Sequence, residues 1–88
     1  MSDTLNKLKE QLELQEWPNV YLFKFIAPND SETVAIITAL FDDGTDLKYN
    51  KSKTGKYVSI SAKELMIDVD SIIAKYKRVS EIKGVIAL

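Results

Sequence analysis

The sequence predicts an α+β fold of the ferredoxin-like type, a β-α-β-β-α-β sandwich in which two helices cover one face of a four-stranded antiparallel sheet. Two observations predict it. Strand-like and helix-like segments follow one another in this order, after a short N-terminal helix. Right-handed crossovers place the first and third strands in the middle of such a sheet, and those two segments carry the most alternating apolar residues.

The composition restricts the function more than it defines it. The chain has 88 residues, with 12 Lys+Arg against 13 Asp+Glu, and it contains neither cysteine nor histidine. This length fits one domain. The missing cysteines exclude a disulfide framework, a thiolate metal site and a cysteine nucleophile. The missing histidines remove the usual general base at neutral pH and the commonest metal ligand. We therefore expect a protein that is not an enzyme, with no catalytic residue, metal or cofactor.

The chain shows no signal for a membrane or for secretion. No apolar run approaches the ~18 residues of a membrane span. The N-terminal segment MSDTLNKLKEQ is polar and lacks the apolar stretch of a secretory signal. We therefore expect a cytoplasmic protein that has no membrane partner.

The first segment, residues 4–15, has the pattern of a short amphipathic helix. Leu5, Leu8 and Leu12 share one face of it. The dipeptide Trp17-Pro18 ends it, because a residue before proline avoids the helical region. The chain therefore divides into an N-terminal helical extension over residues 1–16 and a ferredoxin-like domain over residues 17–88.

Residues 20–27, VYLFKFIA, form the strongest predicted strand. Nearly every position is apolar, which is typical of a central strand. Side chains alternate between the two faces of a sheet. The residues that we expect to face the helices are Tyr21, Phe23, Phe25 and Ala27. Those that we expect to face away from the helices are Val20, Leu22, Lys24 and Ile26.

A helix over residues 31–41 follows the first strand. Asp30 or Ser31 can cap its first turn by accepting a backbone hydrogen bond. Gly44 suits the left-handed conformation that commonly ends a helix. Residues 46–53 and 56–63 then read as the two strands of a hairpin.

The last two elements are a helix and a short strand. The helix is predicted near residues 68–80, with Asp68 as its cap and an apolar face that repeats at helical spacing. The strand is predicted over residues 83–88. These two elements complete the second β-α-β half of the sandwich.

The sheet face without helices is one candidate functional surface. It should carry an apolar patch beside a lysine, and water does not favour such a patch. Either the N-terminal helix or a second chain, including a second copy of this one, could cover it. The candidate partner-surface residues are Leu22, Lys24, Ile26, Tyr57 and Ser59.

Single-stranded RNA binding is the alternative function. RNA-recognition motifs share this strand order and stack bases on aromatic residues of the central strands. Here the matching stretch, residues 53–60, offers Tyr57 and Val58, and four lysines cluster on the hairpin. The net charge of −1 gives no electrostatic footprint for nucleic acid, and the lysines are also explained as charges that protect the edge of a solvated hairpin. The hairpin lysines are Lys48, Lys51, Lys53 and Lys56.

Several stretches of this sequence resemble the YbeD-like family, a group of small bacterial proteins of unknown function. The stretches are E-W-P-x-V-Y-x-F-K-F-I from Glu16 to Ile26, G-K-Y-V-S-I-S-A-K-E from Gly55 to Glu64, the helix Ile72–Tyr76 and Lys83-Gly84-Val85. The resemblance covers roughly residues 14–88. It implies a ferredoxin-like domain similar to ACT-type regulatory domains.

The ACT-like resemblance implies a second candidate site. ACT domains bind small molecules, often amino acids, at the first β–α loop and at dimer interfaces. In this sequence the loop consists of Pro28, Asn29, Asp30 and Ser31, and Asn29 stands where a glycine usually follows the proline. The sequence thus favours a small non-enzymatic regulatory or adaptor module that binds a small molecule or a protein partner, acting in trans.

Overall fold

The computed structural model describes residues 2–88, with side chains from residue 5 onward, and it contains three helices and four strands in these residues. The element order is a helix followed by β-α-β-β-α-β, which confirms the prediction. The elements are α1 Ser2–Leu12, β1 Asn19–Pro28, α2 Ser31–Ala39, β2 Asp46–Lys51, β3 Tyr57–Met66, α3 Val69–Ser80 and β4 Ile86–Ala87.

The sheet has the strand order β2-β3-β1-β4, and every neighbouring pair is antiparallel. Each β-α-β unit therefore crosses over one strand, as in a ferredoxin-like sandwich. The central pair, β1 and β3, is in register over ten residues, from Asn19 opposite Met66 to Pro28 opposite Tyr57. The two strands predicted to be central are central.

The two faces of β1 differ as the alternation predicts. Phe23, Phe25 and Ala27 are completely buried under the helices, whereas Val20 and Leu22 are each 52% exposed. Because the side-chain period of a strand is two residues, this contrast fixes the orientation of the whole strand. The helices α2 and α3 thus cover only one face of the sheet.

An aromatic cluster forms the centre of the core. Phe23 packs against Tyr76 and Phe41 with ring centroids 5.3 and 5.5 Å apart, and against Tyr21 at 4.8 Å. Tilted and edge-on aromatic pairs of this kind add about 0.5–1.5 kcal/mol each beyond burial of their area. Aliphatic side chains from the sheet and both covering helices fill the remaining space: Ile37, Ile60, Ile72 and Val79.

The helix α1 packs beside α3, in the helical layer of the sandwich. Leu12 belongs to the core at 2% exposure, and Leu5 and Leu8 pack against the same cluster. The indole N–H of Trp17 donates to the carbonyl of Leu12 at 2.8 Å, so the chain is fixed just beyond the helix. Of the two coverings expected for the free sheet face, α1 is not the one used. The division between residues 16 and 17 stays a prediction.

Two carboxylates cap the covering helices. Asp30, and not Ser31, caps α2 by accepting from the backbone N–H of Glu32 at 3.1 Å. Asp68 caps α3 by accepting from the backbone N–H of Ser71 at 2.8 Å, as predicted. The hydrogen bonds from Ser71 lower the pKa of Asp68. These caps satisfy backbone donors that lack a partner within the helix.

Several predicted ends differ from the observed ones, among them that of β2, which ends at Lys51 and not at residue 53. The first helix ends at Leu12 and not at residue 15. The second ends at Ala39, because Leu40 closes its last turn and Phe41 turns into the core. The strand β3 continues to Met66, since the alternation of buried and exposed residues continues beyond residue 63. Contacts with other elements determine where these helices and strands end, and local sequence patterns do not contain those contacts.

The last strand and one glycine also differ from expectation. The strand β4 contains only Ile86–Ala87, because Gly84 adopts a φ of +83° in the turn before it. The prediction of a left-handed Gly44 is wrong: among residues 2–88 only Gly55 and Gly84 have positive φ. The turn around Gly44 closes through the N–H of Thr45 and the carbonyl of Asp42 at 3.0 Å. No helix of the described residues is long and apolar enough to cross a membrane.

Candidate functional site

The sheet face opposite the helices is called the open face. Strand alternation and the register of the four strands determine which side chains lie on it. The open face consists of Val20, Leu22, Lys24 and Ile26 of β1, Asp46, Lys48 and Asn50 of β2, Tyr57, Ser59, Ser61, Lys63 and Leu65 of β3, and Ile86 of β4. All five predicted partner-surface residues lie on it.

The open face carries several exposed apolar side chains among its polar ones. Leu22, Tyr57, Leu65 and Ile86 are each more than half exposed. Ile26 lies between Ser59 on one side and Ile86 on the other. Large contiguous apolar patches on soluble proteins mark interaction sites more often than single exposed residues do. The sheet therefore presents a surface suited to contact with another apolar surface.

Lysines dominate the charge of the open face. Lys24 lies opposite Ser61, and Ser61 lies opposite Lys48 on its other side, so a basic row crosses the sheet. Lys63 adds a third positive charge, and Asp46 opposite it is the one carboxylate in the set. The chain as a whole carries a net charge of −1. The open face is thus locally positive on a nearly neutral protein.

Two shallow depressions lie on the open face. One, of about 240 Å³, is lined by Leu22, Asp46, Lys48, Ser61 and Lys63. The other, of about 220 Å³, includes Ile26, Tyr57 and Ser59 together with residues at the end of β2. Pockets for small molecules usually enclose about 300–1,000 Å³. Both depressions on the open face lie below this range.

The loop between β1 and α2, the second predicted site, is held by internal contacts. Asn29 donates from its side-chain amide to the carbonyl of Gly55 at 2.9 Å and from its backbone N–H to Lys56. Asp30 caps α2, and Pro28 lies close to Gly84. Pro28, Asn29 and Asp30 therefore tie the first strand and helix to the hairpin and to the turn before β4. Ligand binding at this loop stays a prediction.

The hairpin lysines do not form one patch on a single surface. Lys48 lies on the open face within β2, whereas Lys53 and Lys56 lie in the turn that joins β2 to β3. Tyr57 is the one aromatic residue in the open-face set. The aromatic Tyr49 of β2 instead bonds the hydroxyl of Thr38 in α2, at 2.8 Å, on the covered side. RNA-recognition sheets stack two or three bases on aromatics.

Sequence reasoning missed a polar pair on the covered face. The ammonium of Lys75 donates to the carboxylate of Glu64 at 2.9 Å, and both side chains are at most 15% exposed. The hydroxyl of Thr45 donates to the second carboxylate oxygen. The same ammonium lies 4.5 Å from the ring centre of Phe41. The signal was available, because alternation along β3 puts Glu64 on the covered face.

The surroundings of Glu64 determine its ionisation. Burial by itself would raise the pKa of this carboxyl. The hydrogen bonds from Thr45 and Lys75, the positive charge of Lys75 and the backbone N–H of Asp42 outweigh burial, so the pKa of Glu64 is lowered. Glu64 is therefore ionised at neutral pH, and its contact with Lys75 joins the end of β3 to α3.

A tyrosine pair lies in the same layer. The hydroxyls of Tyr21 and Tyr76 are 2.8 Å apart, and the two rings meet edge to face. Burial raises the pKa of Tyr76, and the hydrogen bond with Tyr21 raises it further. Tyr76 is therefore neutral at physiological pH, and the contact between the two hydroxyls links β1 to α3 as part of the structure.

Fold and surface together define a small α+β sandwich of the ferredoxin-like class, with a helix-covered face and an open face that is apolar and lysine-bearing. The chain belongs to the family described as "Protein of unknown function (DUF493)", whose model matches residues 12–88. The match begins at the last residue of α1 and includes the whole sheet. Comparison with curated proteins and with solved structures gives no match.

Proposed function

We propose that this protein is a non-enzymatic adaptor module that binds a protein partner through its open face. The observation that carries the proposal is the position of the helices. All three lie on the other side of the sheet, so Leu22, Tyr57 and Leu65 remain exposed on a face that only a third layer would bury. Burial of that apolar surface supplies the driving force for association.

Charge specifies the chemistry of the partner. Lys24, Lys48 and Lys63 stand among the apolar residues of the open face, and Asp46 is their one acidic neighbour in the set. Lysine stems extend apolar contact while their ammonium groups reach the rim of an interface. The partner therefore presents an apolar surface bordered by Asp or Glu side chains, whose charges complement these lysines.

The size of the depressions supports a protein over a free metabolite. Each is smaller than the usual pocket for a small molecule. The YbeD-like and ACT-like resemblance supports the finer proposal that the adaptor is regulatory and acts in trans in the cytoplasm. In that proposal the loop Pro28–Ser31 is the competing site for a small ligand.

Peptide selection against the pure protein tests the proposal. Phage-displayed random peptides are selected on the immobilised protein, and the selected sequences are synthesised and titrated while amide NMR shifts are followed. We expect peptides rich in apolar and acidic residues, with shifts confined to the open face. The double variant Lys24→Glu with Ile26→Ser should weaken their binding by about tenfold or more, which corresponds to about 1.4 kcal/mol.

The control is Leu14→Ser, a change of an apolar residue that is 88% exposed beside α1 and outside the open face. It should leave peptide binding unchanged. Equal binding by wild type and the double variant would overturn the proposal. Shifts of Tyr57 and the lysines by oligouridine, in place of peptide, would replace it with the RNA alternative. Shifts of residues 28–31 by free amino acids would replace it with the ACT-like one.

A further inference from the structure

Part of the β1 edge that faces β4 has no strand partner in the described residues. β4 pairs with β1 only at Phe25 and Ile26, and the backbone N–H of Leu88 adds one bond to the carbonyl of Lys24. On the other side, β3 pairs with all ten residues of β1. The segment Asn19–Phe23 is therefore paired on one side only, and it is called the free edge.

The direction of the unpaired groups follows from the ladder. Alternate residues of a strand direct their backbone N–H and C=O to opposite neighbours. The carbonyl of Lys24 points towards β4, so the groups of Leu22 and Val20 point the same way, beyond the end of β4. The amide of Val20 is accepted by the side chain of Asn19 at 2.8 Å, a local substitute for a strand partner.

The free edge is chemically unlike the other edge of the sheet. The outer strand β2 carries Asp46, Lys48 and Lys51 along its six residues, and charges of this kind oppose pairing between edges. The free edge is NVYLF, which has no charge and no proline. An unprotected edge of apolar residues is a template for another strand.

We infer that two copies of this protein associate through their free edges, with the two β1 strands antiparallel. The segment is complementary to itself. With Tyr21 on the twofold axis, Val20 of each copy lies opposite Leu22 of the other, and the backbone groups of both residues face across the interface. Four backbone hydrogen bonds result, since each copy donates from Val20 and from Leu22. The backbone N–H of Val20 then donates to the carbonyl of Leu22 in the second copy and no longer to the side chain of Asn19.

The neighbouring structure limits how far the second strand can extend along β1. Leu88 already occupies the position beside Lys24, so the second strand can extend only over residues 19–23. Directly opposed residues of antiparallel strands have their side chains on the same face. Val20 and Leu22, each 52% exposed in one copy, therefore cover one another on the open face. A twofold pairing of one patch with itself is the commonest form of association between identical chains.

The consequence is one continuous sheet made of two four-stranded sheets. The open faces of both copies then lie on the same side, since the twofold axis is perpendicular to the sheet. A charged partner strand would meet no opposite charge along the free edge. The free edge of a second copy is itself uncharged, so it requires no opposite charge. The inference concerns this edge and does not depend on the partner proposed for the open face.

Sedimentation equilibrium of the pure protein tests the inference. The wild type should sediment at twice the chain mass at high concentration. Leu22→Lys should raise the dissociation constant of the dimer about a hundredfold or more, because two ammonium groups then meet near the axis. Tyr57→Lys is the matched control, since it adds the same charge to the open face at a distance from the free edge. It should leave the dimer intact.

Amide hydrogen exchange supplies a second readout that a folding defect would not mimic. The Leu22 amide should exchange more slowly as protein concentration rises, while the amide of Phe23 on the paired side should stay constant. A wild type that sediments as a monomer at every concentration would overturn the inference. Loss of the dimer in both Leu22→Lys and Tyr57→Lys would also overturn it, because that pattern indicates association by the faces. Melting curves of both variants check that each is folded.

Discussion

The two faces of this sheet are built from the same strands and have opposite roles. In β1, Phe23 and Phe25 are completely buried, and their neighbour Leu22 is 52% exposed. In β3, Ile60 is completely buried and Leu65 is 65% exposed. Hydrophobicity alone does not separate these pairs. The position of the helices decides which apolar residues stabilise the fold and which remain available to a partner.

The two edges of the sheet show the same kind of contrast. The β2 edge carries the charged residues Asp46, Lys48 and Lys51, while the free edge of β1 is neutral. One edge is chemically protected against further strands and the other is not. The open face and the free edge meet at Leu22. There an exposed apolar side chain lies beside backbone groups that have no strand partner in the described residues.

The largest expected effect separates the two faces directly. Phe25→Ala should destabilise the protein by about 3–5 kcal/mol, since it leaves a cavity in the aromatic cluster. Leu65→Ala on the open face should change the free energy of unfolding by about 0.5 kcal/mol or less. Urea unfolding followed by circular dichroism measures both. Similar losses in the two variants would mean that the open face is buried in solution.

The helix α1 offers the next largest contrast. Leu12 is 2% exposed and Leu14, two residues later, is 88% exposed. Leu12→Ala should cost about 2–4 kcal/mol, because α1 then loses its anchor in the core. Leu14→Ala should cost about 0.5 kcal/mol or less. If both losses are small in thermal and urea unfolding, α1 does not contribute to the core.

Two carboxylates, Glu64 on the covered face and Asp46 on the open face, extend the comparison of the faces to the pH dependence of stability. Glu64→Gln should cost about 1–3 kcal/mol at pH 7, because Lys75 is then left without a counter-charge where both are mostly buried. Asp46→Asn on the open face should cost less than about 1 kcal/mol. Urea midpoints at several pH values measure both.

The sign of the pH dependence follows from the lowered pKa of Glu64. A carboxyl whose pKa is lower in the folded state stabilises the fold above its unfolded pKa, 4.5 for this group, and that contribution is lost as pH falls through the folded pKa. The gap between wild type and Glu64→Gln should therefore narrow as the pH falls below about 4.5. A constant gap would contradict the role given to this pair.

The smallest expected effect on stability compares two glycines, Gly84 with a close neighbour and Gly44 with none. Gly84 has a φ of +83°, and a Cβ there would lie 3.0 Å from the ring of Pro28. Gly44 has no atom near the corresponding position and no positive φ. Gly84→Ala should therefore cost about 1–2 kcal/mol. Gly44→Ala should be neutral or stabilise by up to about 1 kcal/mol, as shown by paired melting curves.

Much of the architecture follows from local sequence patterns. The alternation in VYLFKFIA predicted both the centrality of β1 and the orientation of Phe23 and Phe25, because a single two-residue period specifies both. Asp68 was identified as a cap from its position before an apolar helical face. The residues of the open face followed from the same alternation, so all five candidate surface residues were placed together.

Other features depend on contacts between distant segments. The pair of Glu64 and Lys75 joins a strand to the following helix, and neither residue is unusual in its local sequence. Gly44 and Gly84 look alike as sequence, yet only Gly84 needs a left-handed conformation, because it turns the chain beside Pro28 into β4. Local patterns do not encode such neighbours.

The sequence by itself determined the order of the elements and the faces of the central strands, since side-chain periodicity is a local property of the chain. It also excluded thiol and imidazole chemistry through its composition. Only the tertiary structure decided that α1 joins the helical layer and leaves the open face uncovered, and that β4 is too short to complete the edge of β1. Both outcomes depend on which apolar surfaces bury one another most completely, and that competition involves the whole chain at once.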